Sequence, residues 1–337
     1  MPRRVDDEFE SPEVEELRAA LRRAQAAEAR AKSRTEDLVA AVYQAARDAA
    51  LVAYRPRKPR RPKRDRRSPR GEIALVHATD WQAGKKTASY GLDVLRARIG
   101  QFTEKIVSLT EVQRSHHPVR EVVVMLGGDM VEGLTVFPGQ AYEVEAHLFE
   151  QVFVVVDVID GMLRHLAENF ETVRVVAEYG NHGRIGRRGD VPAADNLDRI
   201  AYKIAQERTK DLAIPWQASD AFYQLVRVGD AYRALLVHGD EINSYGGALP
   251  AYGIVKKVSA WSSGVVEQFH DAYLGHFHQP LELNLPAGGR IFVTPSPESD
   301  NVYAKSFVAA SGRPAQRLHF VSSDKPRVTA QYLVWLD

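Results

Sequence analysis

Five apolar runs in this chain each end in a polar side chain of metal-ligand type, and that recurrence limits the possible folds more than any other feature. Val122-Val123-Val124-Met125-Leu126 runs into Gly127-Gly128-Asp129, and Ile73 to His77 leads to Thr79-Asp80-Trp81-Gln82. Val173 to Ala177 precedes Tyr179-Gly180-Asn181-His182, Leu235-Leu236-Val237 ends in His238-Gly239-Asp240, and Tyr273-Leu274 ends in Gly275-His276-Phe277-His278. Gly-Gly-Asp alone is ordinary turn chemistry. A buried strand that runs into such residues, however, presents them at its carboxyl end, where open α/β sheets hold their ligands. Five in succession predict strands converging on one metal site built from carboxylates, imidazoles and an amide. The alternation of an extended chain predicts both imidazoles of His276-Phe277-His278 on one face, with Phe277 turned into the core. Asp80 and Gln82 share that two-residue spacing.

The absence of cysteine excludes disulfides, cysteine-type zinc sites and thiol catalysis together, so a metal here must be held by His, Asp, Glu, Asn or Gln. With 337 residues, 45% of them apolar, the chain can bury a full core. No apolar run reaches the roughly 18 residues of a membrane span, and the start lacks the apolar core of a signal peptide, so a cytoplasmic location with no membrane partner is expected.

Ser11-Pro12-Glu13 reads as a helix start: a hydroxyl cap, proline in the first turn and acidic residues facing the positive helix end. The expected helix runs from about Pro12 to Val52 with Val14, Leu17, Leu21, Ala24, Ala31, Leu38 and Val42 at 3-4 spacing, interrupted by Glu28 and Thr35. This weak coiled coil would serve homo-oligomerisation or docking of a partner protein; the alternative is an amphipathic helix lying on its own catalytic domain. Between Arg55 and Arg70 stand ten Lys or Arg and one Asp, with prolines at 56, 59, 62 and 69. Like-charge repulsion and proline forbid a helix or a core there, which predicts an extended linker attractive to nucleic acid through counterion release. Because the whole chain carries a net charge of only +1, the remainder is acidic. The expected organisation is a helical arm (1–54), a basic proline-rich linker (55–70) and a catalytic domain (71–337).

Within that domain the first half alternates strands and helices: strands at Ile73–His77, Val122–Leu126 and Val173–Ala177, helices at Leu92–Leu109, about Tyr142–Glu168 and Ala193–Glu207. After Pro215 strands dominate: Phe222–Val228, Arg233–Val237, Ala272–Leu274, Arg290–Val293, Gln316–Val321 and Val328–Trp335. The pattern predicts an α/β fold of two packed mixed β-sheets flanked by helices.

The order Asp-x-Gln, Gly-Asp, Gly-Asn-His, a lone His and Gly-His-x-His resembles the signature of the calcineurin-like metallophosphoesterase superfamily, which has Asp-x-His at the first position. The resemblance spans about Ile73 to Gln279 and implies a four-layer sandwich holding two divalent ions, manganese first, with magnesium, iron or zinc as alternatives. It implies that Asp80, Asp129 and His278, with Gln82 in place of the usual histidine, hold one ion, and that Asp129, Asn181, His238 and His276 hold the other. His182 matches the family's catalytic histidine. Two-ion hydrolysis acidifies a water and stabilises charge during in-line displacement at phosphorus. Gln82 supplies a neutral, weaker donor than imidazole. Gly183 stands where an acidic residue commonly orients the catalytic histidine, and Glu132 or Asp240 are the candidates to replace it.

Asp129-x-x-Glu132-Gly133 and Gly275-His276-Phe277-His278 further resemble the DNA-repair-exonuclease-type branch, which includes small phage and bacterial members. Only Gln279 to Asp337 follows the last motif, enough to finish a sheet, so a DNA-capping domain is not expected. Arg184, Arg187 and Arg188 on the glycine-bearing loop after His182 suit substrate phosphate. The expected function is hydrolysis of phosphodiester bonds in nucleic acid or nucleotides. Two alternatives stand beside it: a small-molecule or cyclic-nucleotide phosphoesterase, and a non-catalytic scaffold that keeps the fold.

Overall fold

The computed structural model describes residues 56–67, 70–137, 139–186, 188–243, 249–286, 288–299 and 312–337, with positions 19–23, 25, 26, 29, 30, 33, 37, 40, 41, 43–45, 47, 48, 51 and 54 before them. The chain divides into two compact units, residues 1–45 and 46–337. In the first, every described position is helical. Most of the expected apolar seam, including Val14, Leu17, Ala24 and Leu38, lies outside the described residues.

The second unit carries two mixed sheets flanked by helices. Sheet one contains, in spatial order, β11 (Val328–Trp335), β10 (Ala315–Ser322), β1 (Glu72–Ala78), β2 (Val119–Leu126), β3 (Thr172–Ala177) and β4 (Trp216–Ala218). Strands β1 to β4 are parallel, and β10 and β11 close the edge antiparallel. Sheet two runs β5 (Tyr223–Val228), β6 (Tyr232–Val237), β7 (Asp271–Leu274), β9 (Arg290–Val293), β8 (Leu281–Asn284), with β6, β7 and β9 parallel.

Period-two alternation builds the layer between the sheets. Ile73, Leu75, Val123, Met125 and Val176 from sheet one meet Val226, Ala234, Leu236, Tyr273 and Phe292 from sheet two. The intervening residues Leu235, Val237, Leu274 and Val293 point the other way and pack on α4 (Ala251–Ala260) through Ile254 and Val258. Helices α1 (Leu92–Arg114) and α2 (Leu148–Asn169) pack together, and α3 (Leu197–Arg208) packs on α2.

Two helices start later than their apolar pattern suggests. The segment expected to open α2 at Tyr142 instead bonds to the loop after β1, with Lys86 N–H donating to Glu143 O at 2.8 Å and Glu145 N–H to Gly84 O at 2.8 Å. A capping box between His147 and Glu150 then begins the helix. Asn196 caps α3, accepting from Asp198 N–H at 2.9 Å. Strands β4 and β8 and helix α4 have no counterpart in the sequence expectation: two are short edge strands, and α4 carries its apolar residues in a single turn-and-a-half.

Parallel β1, β2 and β3 in one sheet and parallel β6 and β7 in the other all end on the same side of the unit. Their carboxyl ends carry Asp80, Asp129, Asn181, His238 and His276.

Candidate metal centre

The loop after β2 is fixed from below. Asp198, fully buried on α3, accepts from the backbone N–H of Met130 at 3.1 Å, Val131 at 3.2 Å and Gly180 at 3.0 Å. One carboxylate therefore sets the distance between the strand ends that carry Asp129 and Asn181. Burial, with Asp129 nearby, pushes the Asp198 carboxyl up to about 6. The two loops touch so closely that a Cβ on Gly180 would lie 2.1 Å from Asp129 Oδ1, which leaves glycine the only residue that fits.

Asp129, His238 and His276 bring one ligand atom each within 4.8 Å of one another. His238 Nδ1 faces the Gly127 carbonyl oxygen at 2.9 Å, so that nitrogen carries a proton and Nε2 points into the site. There Nε2 meets Asp129 Oδ2 at 3.0 Å and Asn181 Oδ1 at 3.2 Å. With a neutral imidazole this is a cluster of lone pairs with no donor among them, which calls for a cation or a second proton on His238. Burial opposes that proton, but the Asp129 carboxylate outweighs burial and holds the His238 pKa well above its ordinary value. Burial pushes His276 down to about 4, and the neighbouring His238 adds to the shift, so His276 offers a neutral donor. The donor set of carboxylate, imidazoles and amide oxygen fits a divalent ion.

Asp80 and His278 form a second pair, with His278 Nε2 at 3.3 Å from Asp80 Oδ1. His278 Nδ1 lies 3.1 Å from Glu298 Oε1, and His276 N–H donates to both Asp80 oxygens at 2.9 and 3.0 Å. Gln82 reaches this pair but presents nitrogen rather than oxygen: its Nε2 lies 3.3 Å from His278 Nε2 and 3.5 Å from His182 Nε2. The reason is Lys85, whose buried ammonium donates to Gln82 Oε1 at 3.2 Å and pairs with Glu298 at 3.2 Å. Glu132 lies at 3.9 Å from the same ammonium.

His182 stands between the two clusters. Its backbone N–H donates to Asp129 Oδ1 at 2.7 Å, and its Nδ1 faces the Glu132 carbonyl at 2.9 Å and Glu132 Oε2 at 3.2 Å. Nε2 then faces the centre, 4.0 Å from Asp129 Oδ2. Burial lowers the His182 pKa, but the Asp129 and Glu132 carboxylates overcome it and push the value up to about 9. Of the two candidates to replace the acidic residue missing at 183, the structure places Glu132 on the histidine and pairs Asp240 with Arg184 instead. Gly183 itself has no room for a side chain: a Cβ there would lie 2.2 Å from Asn196 Oδ1.

The backbone carries the same mark. Among the described non-glycine residues six have positive φ, and five of them are Asp80, Gln82, Asp129, His276 and His278; the sixth is Ala213. The expectation that His276 and His278 share a face through extended-strand alternation is thus corrected. Left-handed turns at φ 65° and 55° aim the two imidazoles, at a backbone cost of order 1 kcal/mol or more each.

The arginines expected to bind phosphate differ in their surroundings. Arg184 is tied to Asp240, Arg188 is exposed beside an isolated bridge to Val191, and Arg187 lies outside the described residues. Lys85, Glu298, Gln140 and Asp198 belong to the site's surroundings and carry no strand-end signal that a sequence reading could have used.

No protein-family model and no curated protein matches the chain. Among solved structures it is similar to Vps29 complexed with zinc from Entamoeba histolytica at 10% identity, covering 78% of this chain and 99% of that one, TM-score 0.36. A predicted phosphoesterase from Streptococcus pneumoniae matches at 11% identity over 78% of this chain and 98% of its own, TM-score 0.32. A 5'-nucleotidase from Candida albicans matches at 9% identity over 83% and 54%, TM-score 0.33. The fold itself is two mixed sheets flanked by helices. At such identities and scores these structures contribute nothing to the activity, which has to be read from the residues of the centre.

Proposed function

We propose that this protein is a divalent-metal-dependent phosphodiesterase acting on nucleic acid or nucleotides. The observation that carries the reading is the left-handed backbone at Asp80, Gln82, Asp129, His276 and His278. A fold that needs only a packed core has no use for five such residues at one rim, whereas a site that must aim donors inward does.

Divalent ions held there would supply positive charge to phosphate oxygens and acidify a water for attack at phosphorus. Asp129, His238, His276 and Asn181 would hold one ion, and Asp80 with His278 would contribute to a second position. Asp129, whose carboxylate meets His238 Nε2 and the His182 backbone N–H, would be the carboxylate shared by the two ions. His182 holds a proton at Nε2 toward the centre, oriented from behind by Glu132, and delivers it to the leaving oxygen. The Lys85 ammonium neutralises Glu132 and Glu298, so that these buried carboxylates do not compete for the ions.

The test compares manganese-loaded protein on a generic phosphodiester, a phosphomonoester, single-stranded DNA, duplex DNA and a cyclic nucleotide. Preference for the diester and for DNA is expected. Turnover confined to the cyclic nucleotide or the monoester would replace the nuclease reading with a small-molecule one.

A further inference from the structure

The basic run after the N-terminal arm is not a free tether. From Pro56 to Arg67 the sequence repeats proline followed by two cations: Pro56-Arg57-Lys58, Pro59-Arg60-Arg61, Pro62-Lys63-Arg64, then Asp65-Arg66-Arg67. Exposure repeats with the same period. Pro59, Pro62 and Asp65 are half-buried, and every other position from 56 to 67 is exposed. A polyproline II chain has three residues per turn and rises about 9 Å per turn, so from Pro59 onward this spacing puts one residue of each triplet against the body and two cations outward.

The strap is pinned at both ends. At its start Tyr54 Oη donates to Asp160 at 2.5 Å, and Arg164 bonds Tyr54 Oη at 2.8 Å, the Arg57 carbonyl at 3.0 Å and Asp211 at 2.9 Å. At its end Asp65 N–H donates to Glu171 at 2.7 Å, Arg120 donates to the Asp65 and Arg67 carbonyls at 3.0 and 2.6 Å, and Arg67 caps the Arg114 carbonyl at 2.7 Å. Arg60, Arg61, Lys63, Arg64 and Arg66 form no salt bridge with any described residue, and Lys58 forms none either, although its charge, after the Arg164 hydrogen bond, helps hold the Asp211 carboxyl below its ordinary range.

These anchors also locate the strap. Arg120 is the second residue of β2, Glu171 precedes β3, and Arg114 ends α1, so the strap crosses the amino ends of the parallel strands of sheet one. The candidate metal centre lies at their carboxyl ends, a strand length of order 20 Å away.

We infer that this strap is a nucleic-acid-binding track separate from the hydrolytic centre, holding phosphodiester backbone without base specificity on the opposite side of sheet one. Six cations at regular spacing, in no salt bridge with a described residue, match a polyanion of regular charge, and four of them are arginines whose planar forks suit phosphate oxygens. Residues 56 to 67 include no aromatic side chain and no apolar one other than proline, so the track reads backbone only and has nothing bulky to insert into a bilayer. The inference does not depend on hydrolysis at the other edge.

The test uses the full-length protein without added metal, and random-sequence single-stranded and duplex oligonucleotides followed by anisotropy between 50 and 200 mM salt. The probe variant replaces Lys58, Arg60, Arg61, Lys63, Arg64 and Arg66 with glutamine; Asp129→Ala serves as the site control, and vesicles containing phosphatidylserine as the membrane arm. Wild type and Asp129→Ala should bind alike with a steep salt slope. The six-fold variant should bind at least 100-fold more weakly at low salt, with a slope flatter by up to about 4 on single strands. It should still hydrolyse a small phosphodiester at the wild-type rate and melt at the wild-type temperature. An unchanged slope, an equal loss in Asp129→Ala, or cation-dependent binding to vesicles without binding to oligonucleotides would each overturn the inference.

Discussion

The Lys85 ammonium lies 3.2 Å from Gln82 Oε1, and this contact decides how the Asp80 side of the centre can work. The lysine occupies the amide oxygen that the proposed second ion would need, and it holds Glu298 and Glu132 at 3.2 and 3.9 Å. Replacing Lys85 with methionine removes the partner of two buried carboxylates, a loss of about 3–5 kcal/mol in metal-free protein. The variant should melt well below wild type without metal, and added manganese should recover more of its melting temperature than it adds to wild type. Equal manganese shifts in both proteins would show that the ammonium does not compete with an ion.

Asp198 tests whether strand ends must be held together for the site to bind metal. Its carboxylate accepts three backbone N–H groups from the loops bearing Asp129 and Asn181. Asp198→Asn exchanges one acceptor oxygen for a donor and should weaken metal affinity about 10–100-fold, the usual cost of losing a group that orients a ligand. Calorimetric titration with manganese measures it.

Placing an acidic residue at position 183 should harm the protein. A side chain there collides with Asn196 Oδ1, which caps α3 through Asp198 N–H. Gly183→Asp is expected to lower activity and to cost at least the roughly 1–3 kcal/mol of an overpacked site. A thermal melt and a turnover assay on the same preparation check both effects. Glu132→Gln should instead reduce turnover with smaller loss of fold, because Glu132 is the carboxylate that faces His182 Nδ1 at 3.2 Å.

Stability should fall as pH rises from about 5 to 8 through Glu178. Burial pushes this carboxyl up to about 8, opposed by hydrogen bonds from Tyr179 N–H and Gln224, with Glu241 raising it further and His238 lowering it. Between its ordinary value and 8 the folded protein keeps a proton that the unfolded chain has released. Folding is therefore favoured at the acid end and loses at most about 1.4 kcal/mol per pH unit as the range is crossed. Denaturant melts across that range should show a shallower decline in Glu178→Gln.

Much of this was legible in the sequence because parallel strands buried on both faces read as unbroken apolar runs, and the residues that end them fall at the sheet's carboxyl edge. Val122 to Leu126 announced Asp129 in that way, and Val173 to Ala177 announced Asn181 and His182. The geometry that aims these residues was not legible. Nothing in His276-Phe277-His278 distinguishes an extended chain from two left-handed turns, since non-glycine residues take that conformation only where the surrounding structure imposes it. Lys85 and Glu298 were missed because each lies several residues beyond the end of its strand, and only the fold brings them to Gln82 and His278. The docking of Pro59 and Pro62 was likewise hidden: the proline triplets predict an extended chain, and the half-buried face appears only once Tyr54, Arg120 and Arg164 are in place.

The most direct measurement of the central claim is turnover of a generic phosphodiester by manganese-loaded wild type, Asp129→Ala and His182→Ala, repeated after chelation. Wild type should turn over, chelation should abolish it and manganese restore it; Asp129→Ala should be inactive, and His182→Ala reduced by about 10²–10⁴-fold. Wild-type turnover equal to that of both variants, or untouched by chelation, would contradict a metal-dependent phosphodiesterase at this centre.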